Sequence, residues 1–213
     1  MSIVKDAIVG TAKGVISTIP GASILVVIAD EIQNGILQER FTKWKDAVDQ
    51  KLNEIDNLNI AELSKNEVFA TVLLLSAQLA LKTNSAKKIY LANAVKNSAI
   101  KDYSEEQVII MLNCIEKYTV EHIRLLRFLQ DPSDYNPSDS IMMGSPMRIF
   151  DDYYPNRIKD YDSIIMRDLF FDGLTNTDSL NAMMTLQGCL SKRTTPLGDE
   201  FIDFFGIEKI QNQ

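Results

Sequence analysis

His122 is the single histidine in the chain, which excludes every multi-histidine metal site and most histidine-based triads. Cys114 lies eight residues before it, too far along a helix for direct contact, and no third group is visible to orient a Cys–His nucleophile pair. At the start of an amphipathic helix, the expected role of His122 is a surface or capping residue. Asp151-Asp152 and Asp160-x-Asp162 have the chemistry to gather a divalent cation. The glycine and terminal glutamate of an EF-hand are missing at their spacings, so a solvated acidic face is the expected reading. Neither a glycine-rich phosphate loop ending in Lys-Ser or Lys-Thr, nor Gly-x-Gly-x-x-Gly, nor Gly-x-Ser-x-Gly occurs. No pattern calls for a cofactor. Tyr153-Tyr154 and Met142-Met143, in a proline-rich stretch, are types that anchor protein partners, and packing beneath a loop suits them equally. Lys192 and Arg193 are the pair best suited to touch phosphate.

Such residues need a scaffold, and 213 residues with 46% hydrophobic and 24% charged side chains support a real core in one or two domains. Two cysteines are too few for a secreted disulfide framework, and a reducing cytoplasm is the simplest home. The net charge of −7 is uneven. Residues 1–103 hold 12 Lys and Arg against 11 Asp and Glu, whereas 104–213 hold 10 against 18. An acidic C-terminal half repels phosphate backbones, so nucleic acid is a poor partner for it. The shift also marks a boundary: an N-terminal helical domain over 1–102 and a second domain over 103–213.

Residues 2–17 show helical spacing of apolar side chains, with Gly10 and Gly14 permitting close helix packing. No convincing secretory signal opens the chain. The uncharged stretch 14–29 is interrupted by Pro20-Gly21, and a spanning helix needs about 20 apolar residues. Two buried helices meeting at a turn are expected, with a membrane-acting hairpin as the rival. A long helix over 22–55 follows, carrying the seam Leu37, Phe41, Trp44, Val48, Leu52 and Ile55. Such a seam is usually filled by another helix of the same chain, but Phe41, Trp44 and Val48 serve equally as a partner or dimer contact.

Asn57 and Asn59 mark a loop. A central helix over 68–81 and a fourth over 86–99, capped by Ser85, come next. Ser104-Glu105-Glu106-Gln107 is a capping box that opens a helix through Tyr118, and Thr119 caps another over 120–129. Residues 131–147 read as a loop, long enough to be mobile or functional. A helix over 164–172 closes at Gly173-Leu174. Residues 182–186 and 190–194 flank Gln187-Gly188-Cys189 as a short β-hairpin. Thr195-Pro196 then starts a last helix through Phe205.

Asp168-Leu169-Phe170-Phe171-Asp172-Gly173-Leu174, the hairpin and Thr194-Thr195-Pro196-Leu197-Gly198-Asp199-Glu200-Phe201 together resemble a winged-helix domain over roughly 104–205. That resemblance implies a recognition helix before the wing. Here the helix carries Asp162, Asp168 and Asp172 against Arg167, which disfavours DNA. More loosely, Thr18-Ile19-Pro20-Gly21, Lys82-Thr83-Asn84-Ser85-Ala86-Lys87-Lys88 and the Thr-Pro-Leu-Gly tail resemble abortive-infection alpha-type phage-defence proteins of bacteria, from which no catalytic residue carries over. The expectation is a mainly α protein, an N-terminal helical assembly followed by a winged-helix-like domain with a short β-hairpin. Its expected role is a non-enzymatic protein-interaction module, possessing a protein partner or self-association. A transcription regulator and a membrane-acting effector are the competing classes.

Overall fold

The computed structural model describes residues 25, 32, 34–83, 85–135 and 143–209. The expected helix over 2–17, the Gly10/Gly14 pair, the Pro20-Gly21 turn, Pro137 and Met142 lie outside the described residues. Among those described, ten helices and a two-stranded antiparallel sheet make the chain mainly α. None of these helices is long and apolar enough to cross a membrane. The chain divides into two compact units, residues 1–116 and 117–213.

In the first unit, α1 (Gly35–Asn53) begins where Asn34 takes an extended backbone and accepts the Ile36 amide proton. The expected helix over 22–55 is therefore not one unbroken helix, because the asparagine cap starts α1 at Gly35. Asn59 opens the single turn α2 (Ile60–Leu63) and Asn66 opens α3 (Glu67–Lys82), each accepting an amide proton three residues on. Helix α4 (Ser85–Ile100) packs on both α1 and α3. Where they meet, Phe41, Trp44, Val48 and Leu52 lie buried with Phe69, Val72, Leu73 and Ala77 of α3. Leu91, Ala92, Ala94 and Val95 of α4 complete this core, the alanines letting the backbones come close.

Helix α5 (Glu105–Lys117) has the capping box as expected: the Ser104 amide donates to Gln107 Oε1 at 2.8 Å, and the Gln107 amide to Ser104 Oγ at 3.2 Å. Lys87 Nζ donates to the carbonyls of Ile115 and Glu116, and Lys82 pairs with Glu116. These ties hold α5 to α3 and α4, which is why the division falls after Glu116 rather than near residue 103.

In the second unit, α6 (Val120–Gln130) is the centre, with Ile123, Leu125, Leu126, Phe128 and Leu129 buried. A 3-10 turn (Pro132–Tyr135), strand β1 (Met143–Gly144) and helix α7 (Pro146–Tyr153) occupy what reads as loop in the sequence. Ser145 caps α7 and Pro146 takes its first position, where a missing N–H costs nothing. Helix α8 (Asp162–Phe171) ends in a Schellman turn. The Gly173 amide donates to the Phe170 carbonyl and the Leu174 amide to that of Leu169, both at 2.9 Å, with Gly173 at φ +74°.

The expected hairpin is not formed. Strand β2 (Met184–Thr185) pairs antiparallel with β1, Met143 opposite Thr185 and Gly144 opposite Met184. Residues 186–189 instead make the helical turn α9 (Leu186–Cys189), because Thr185 Oγ1 accepts the Gly188 amide proton and caps it. The chain returning through Thr194 bridges Thr175 rather than residues 182–186. Helix α10 (Pro196–Phe205) is capped by Thr195 and buries Phe201, Phe204 and Phe205.

Candidate functional site

Helix α8 presents one face to the second unit and another to solvent. Ile165, Met166 and Leu169 turn inward, so a 100° step per residue leaves Ile164 and Phe171 outside. Phe171 is 76% exposed, Phe170 and Ile164 are also exposed, and the two phenyl rings lie 6.0 Å apart. Arg167 lies exposed on the same side. Tyr161, just before the helix, adds another exposed aromatic.

Polar contacts fix the inner side of this helix. His122 is buried on α6 and stacks on Tyr118, with centroids 4.9 Å apart and planes 9° from parallel. Its Nδ1 accepts the Thr119 amide proton at 3.1 Å, so in the neutral ring the proton sits on Nε2. Nε2 lies 3.6 Å from Asp168 Oδ2 of α8. One turn on, Tyr118 donates to Asp172 Oδ2 at 2.6 Å. His122 is thus a capping residue, as one of its expected roles required, but a buried one, while the Tyr118–Asp172 hydrogen bond ties down the end of α8. Arg157 fixes the other end. Its side chain is 1% exposed and bridges Asp151 of α7 and Asp162 at the start of α8, with Nε to Asp151 at 2.8 Å and Nη2 to Asp162 at 2.6 Å. Burial disfavours the Arg157 cation, yet the hydrogen bonds to Asp162 and Asp151 outweigh it and hold its pKa above the ordinary value. Those two acids are therefore committed to a buried ion pair rather than to a solvated face. Among the described residues no group of three His, Cys, Asp or Glu side chains is placed to hold a metal ion.

The other expected site residues go elsewhere. Phe41, Trp44 and Val48 are buried by helices of their own unit, so α3 and α4 fill the seam and leave no partner surface there. Tyr153 and Tyr154 close α7 instead of decorating a loop. They pack edge-on with Tyr135 and Phe150 in an aromatic cluster, and Lys209 Nζ sits 4.7 Å from the Tyr135 and Tyr153 ring centres. Tyr154 is buried, and burial pushes the Tyr135 and Tyr154 phenols above their ordinary pKa. Lys192 pairs with Asp199. Arg193 donates to the Gly188 carbonyl at 2.7 Å and also to that of Ser191, and burial lowers its pKa. Its guanidinium holds the end of α9 and is not presented to phosphate.

Sequence reasoning passed over Ile164, Phe170 and Phe171 as surface residues. The signal was available: two adjacent phenylalanines beside an inward Leu169 cannot both face one core. The chain matches no family model, no curated protein and no solved structure.

Proposed function

We propose that this protein is a non-enzymatic protein-interaction module whose contact face is the outer side of α8. The observation that carries the reading is the exposure of Phe171, Phe170 and Ile164 on a helix held from behind by the Tyr118–Asp172 hydrogen bond and the buried Arg157 ion pairs. Covering a large apolar side chain yields about 1.5–3 kcal/mol, and aromatics on a rigid support make good interface anchors. In the winged-helix resemblance α8 corresponds to the helix that would enter DNA. Exposed phenylalanines and an isoleucine with a single arginine, Arg167, beside them suit a protein surface better than a phosphate backbone. The similarity of the Thr18–Gly21, Lys82–Lys88 and tail segments to abortive-infection proteins supports bacterial defence against phage as the setting.

The test is a Phe170→Ser, Phe171→Ser double variant compared with wild type by sedimentation velocity and by photo-crosslinking in the native cell. Loss of the wild-type complex, with the circular dichroism spectrum unchanged, is the expected result. A folded double variant that keeps every association of the wild type would refute the assignment.

A further inference from the structure

Along the outer stripe of α8, the neighbouring positions i, i+3, i+4 and i+7 are Ile164, Arg167, Asp168 and Phe171. Ile164, Arg167 and Phe171 are exposed, and the Asp168 side chain is 30% exposed. Arg167 joins no ion pair among the described residues. From either end the stripe runs apolar, charged, charged, apolar, and its two charges are of opposite sign.

Such a stripe is complementary to itself. A second copy of α8, laid antiparallel across a two-fold axis between residues 167 and 168, sets Ile164 against Phe171 and Arg167 against Asp168, each contact occurring twice. An axis through residue 167 would set guanidinium against guanidinium. An axis through residue 169 would lay Arg167 on Phe171 and leave Ile164 opposite Leu174, which is already buried. Of these placements, the one between 167 and 168 matches apolar to apolar and cation to anion.

The area suits the same occupant. Tyr161, Phe170 and Phe171 are 57%, 39% and 76% exposed, and at about 200 Å² per aromatic side chain they offer roughly 350 Å² in each copy. With Ile164 and Arg167 added, two copies would cover about 1,000 Å² between them, the low end for a specific interface. A partner of unrelated sequence needs no palindrome of charge.

We propose that the outer stripe of α8 is a self-association surface whose occupant is a second copy of this chain, paired antiparallel through Ile164–Phe171 and Arg167–Asp168 contacts. The proposal rests on the reading of α8 as a contact face and names what covers it.

Sedimentation velocity of the purified full chain, up to about 200 µM, is expected to show a reversible dimer with Kd on the order of 10 µM, in keeping with so small an interface. Arg167→Glu and Asp168→Lys each bring like charges together at both contacts, and each should weaken the dimer at least about tenfold. Mixed in equal amounts, the two variants should form a heterodimer about as tight as wild type, because opposite charges then meet at both contacts. Circular dichroism checks that each variant is folded. A second measurement does not depend on Asp168→Lys: the wild-type dimer should weaken several-fold as NaCl rises from about 0.05 to 0.5 M, and Arg167→Met should lose most of that dependence. A chain that stays monomeric throughout, a dimer indifferent to Arg167→Glu, or a mixture no tighter than its two components would overturn the proposal. Cell crosslinks to a different protein that vanish in the Phe170→Ser, Phe171→Ser variant would likewise overturn it if the purified chain is monomeric, while leaving α8 as a contact face.

Discussion

Replacing Gly198 by alanine probes how closely α10 is seated on the turn that ends α8. A Cβ built at this position falls 2.1 Å from the Leu174 carbonyl oxygen and 3.0 Å from its carbon. Ordinary van der Waals contact needs well over 3 Å, so backbone must move by about 1 Å or more. That movement strains three linked contacts. The Thr195 amide donates to the Leu174 carbonyl at 3.0 Å, the Gly198 amide to Thr195 Oγ1 at 3.1 Å, and Thr195 Oγ1 to the Gly173 carbonyl. Loss of a cap costs ~1 kcal/mol, a backbone hydrogen bond ~1 kcal/mol, and overpacking 1–3 kcal/mol, roughly. A total of about 3–5 kcal/mol follows. Urea unfolding monitored by circular dichroism measures it, with Gly188→Ala as the control. At Gly188 the nearest atoms belong to the flexible Met184 side chain, at 3.2 Å and beyond, so a change under about 1 kcal/mol is expected there. A Gly198→Ala loss no greater than that of Gly188→Ala would refute the reasoning, since it would mean that the turn yields freely.

Trp44 is fully buried and its indole N–H has no acceptor among the described residues. Trp44→Ala should therefore cost about 3–5 kcal/mol, while Trp44→Phe, which leaves no hydrogen bond unmade, should cost far less; urea unfolding by circular dichroism separates them. Glu54, at the end of α1, is held below the ordinary glutamate pKa by hydrogen bonds from Lys96 and Lys51. Its contribution is present in full above the unfolded-state value and is lost as pH falls through the depressed folded value. Glu54→Gln should thus flatten the acid limb of stability against pH by well under about 1 kcal/mol, because the carboxylate is partly solvated. Unchanged curvature between wild type and variant would count against it.

What the sequence made legible was local. The capping box at Ser104, the Thr195-Pro196 start of α10 and the Gly173-Leu174 end of α8 each need only a few neighbouring residues, and all three are present. Strand pairing is not local: Met184–Thr185 finds its partner at Met143–Gly144, with α7 and α8 between them in the chain, and no nearby pattern announces it. The apparent hairpin failed for that reason, since Thr185 offered a nearer alternative by capping α9. Burial was legible only in kind. The seam through Phe41, Trp44 and Val48 had to be covered, and only the packing of α3 and α4 decided that the cover is internal.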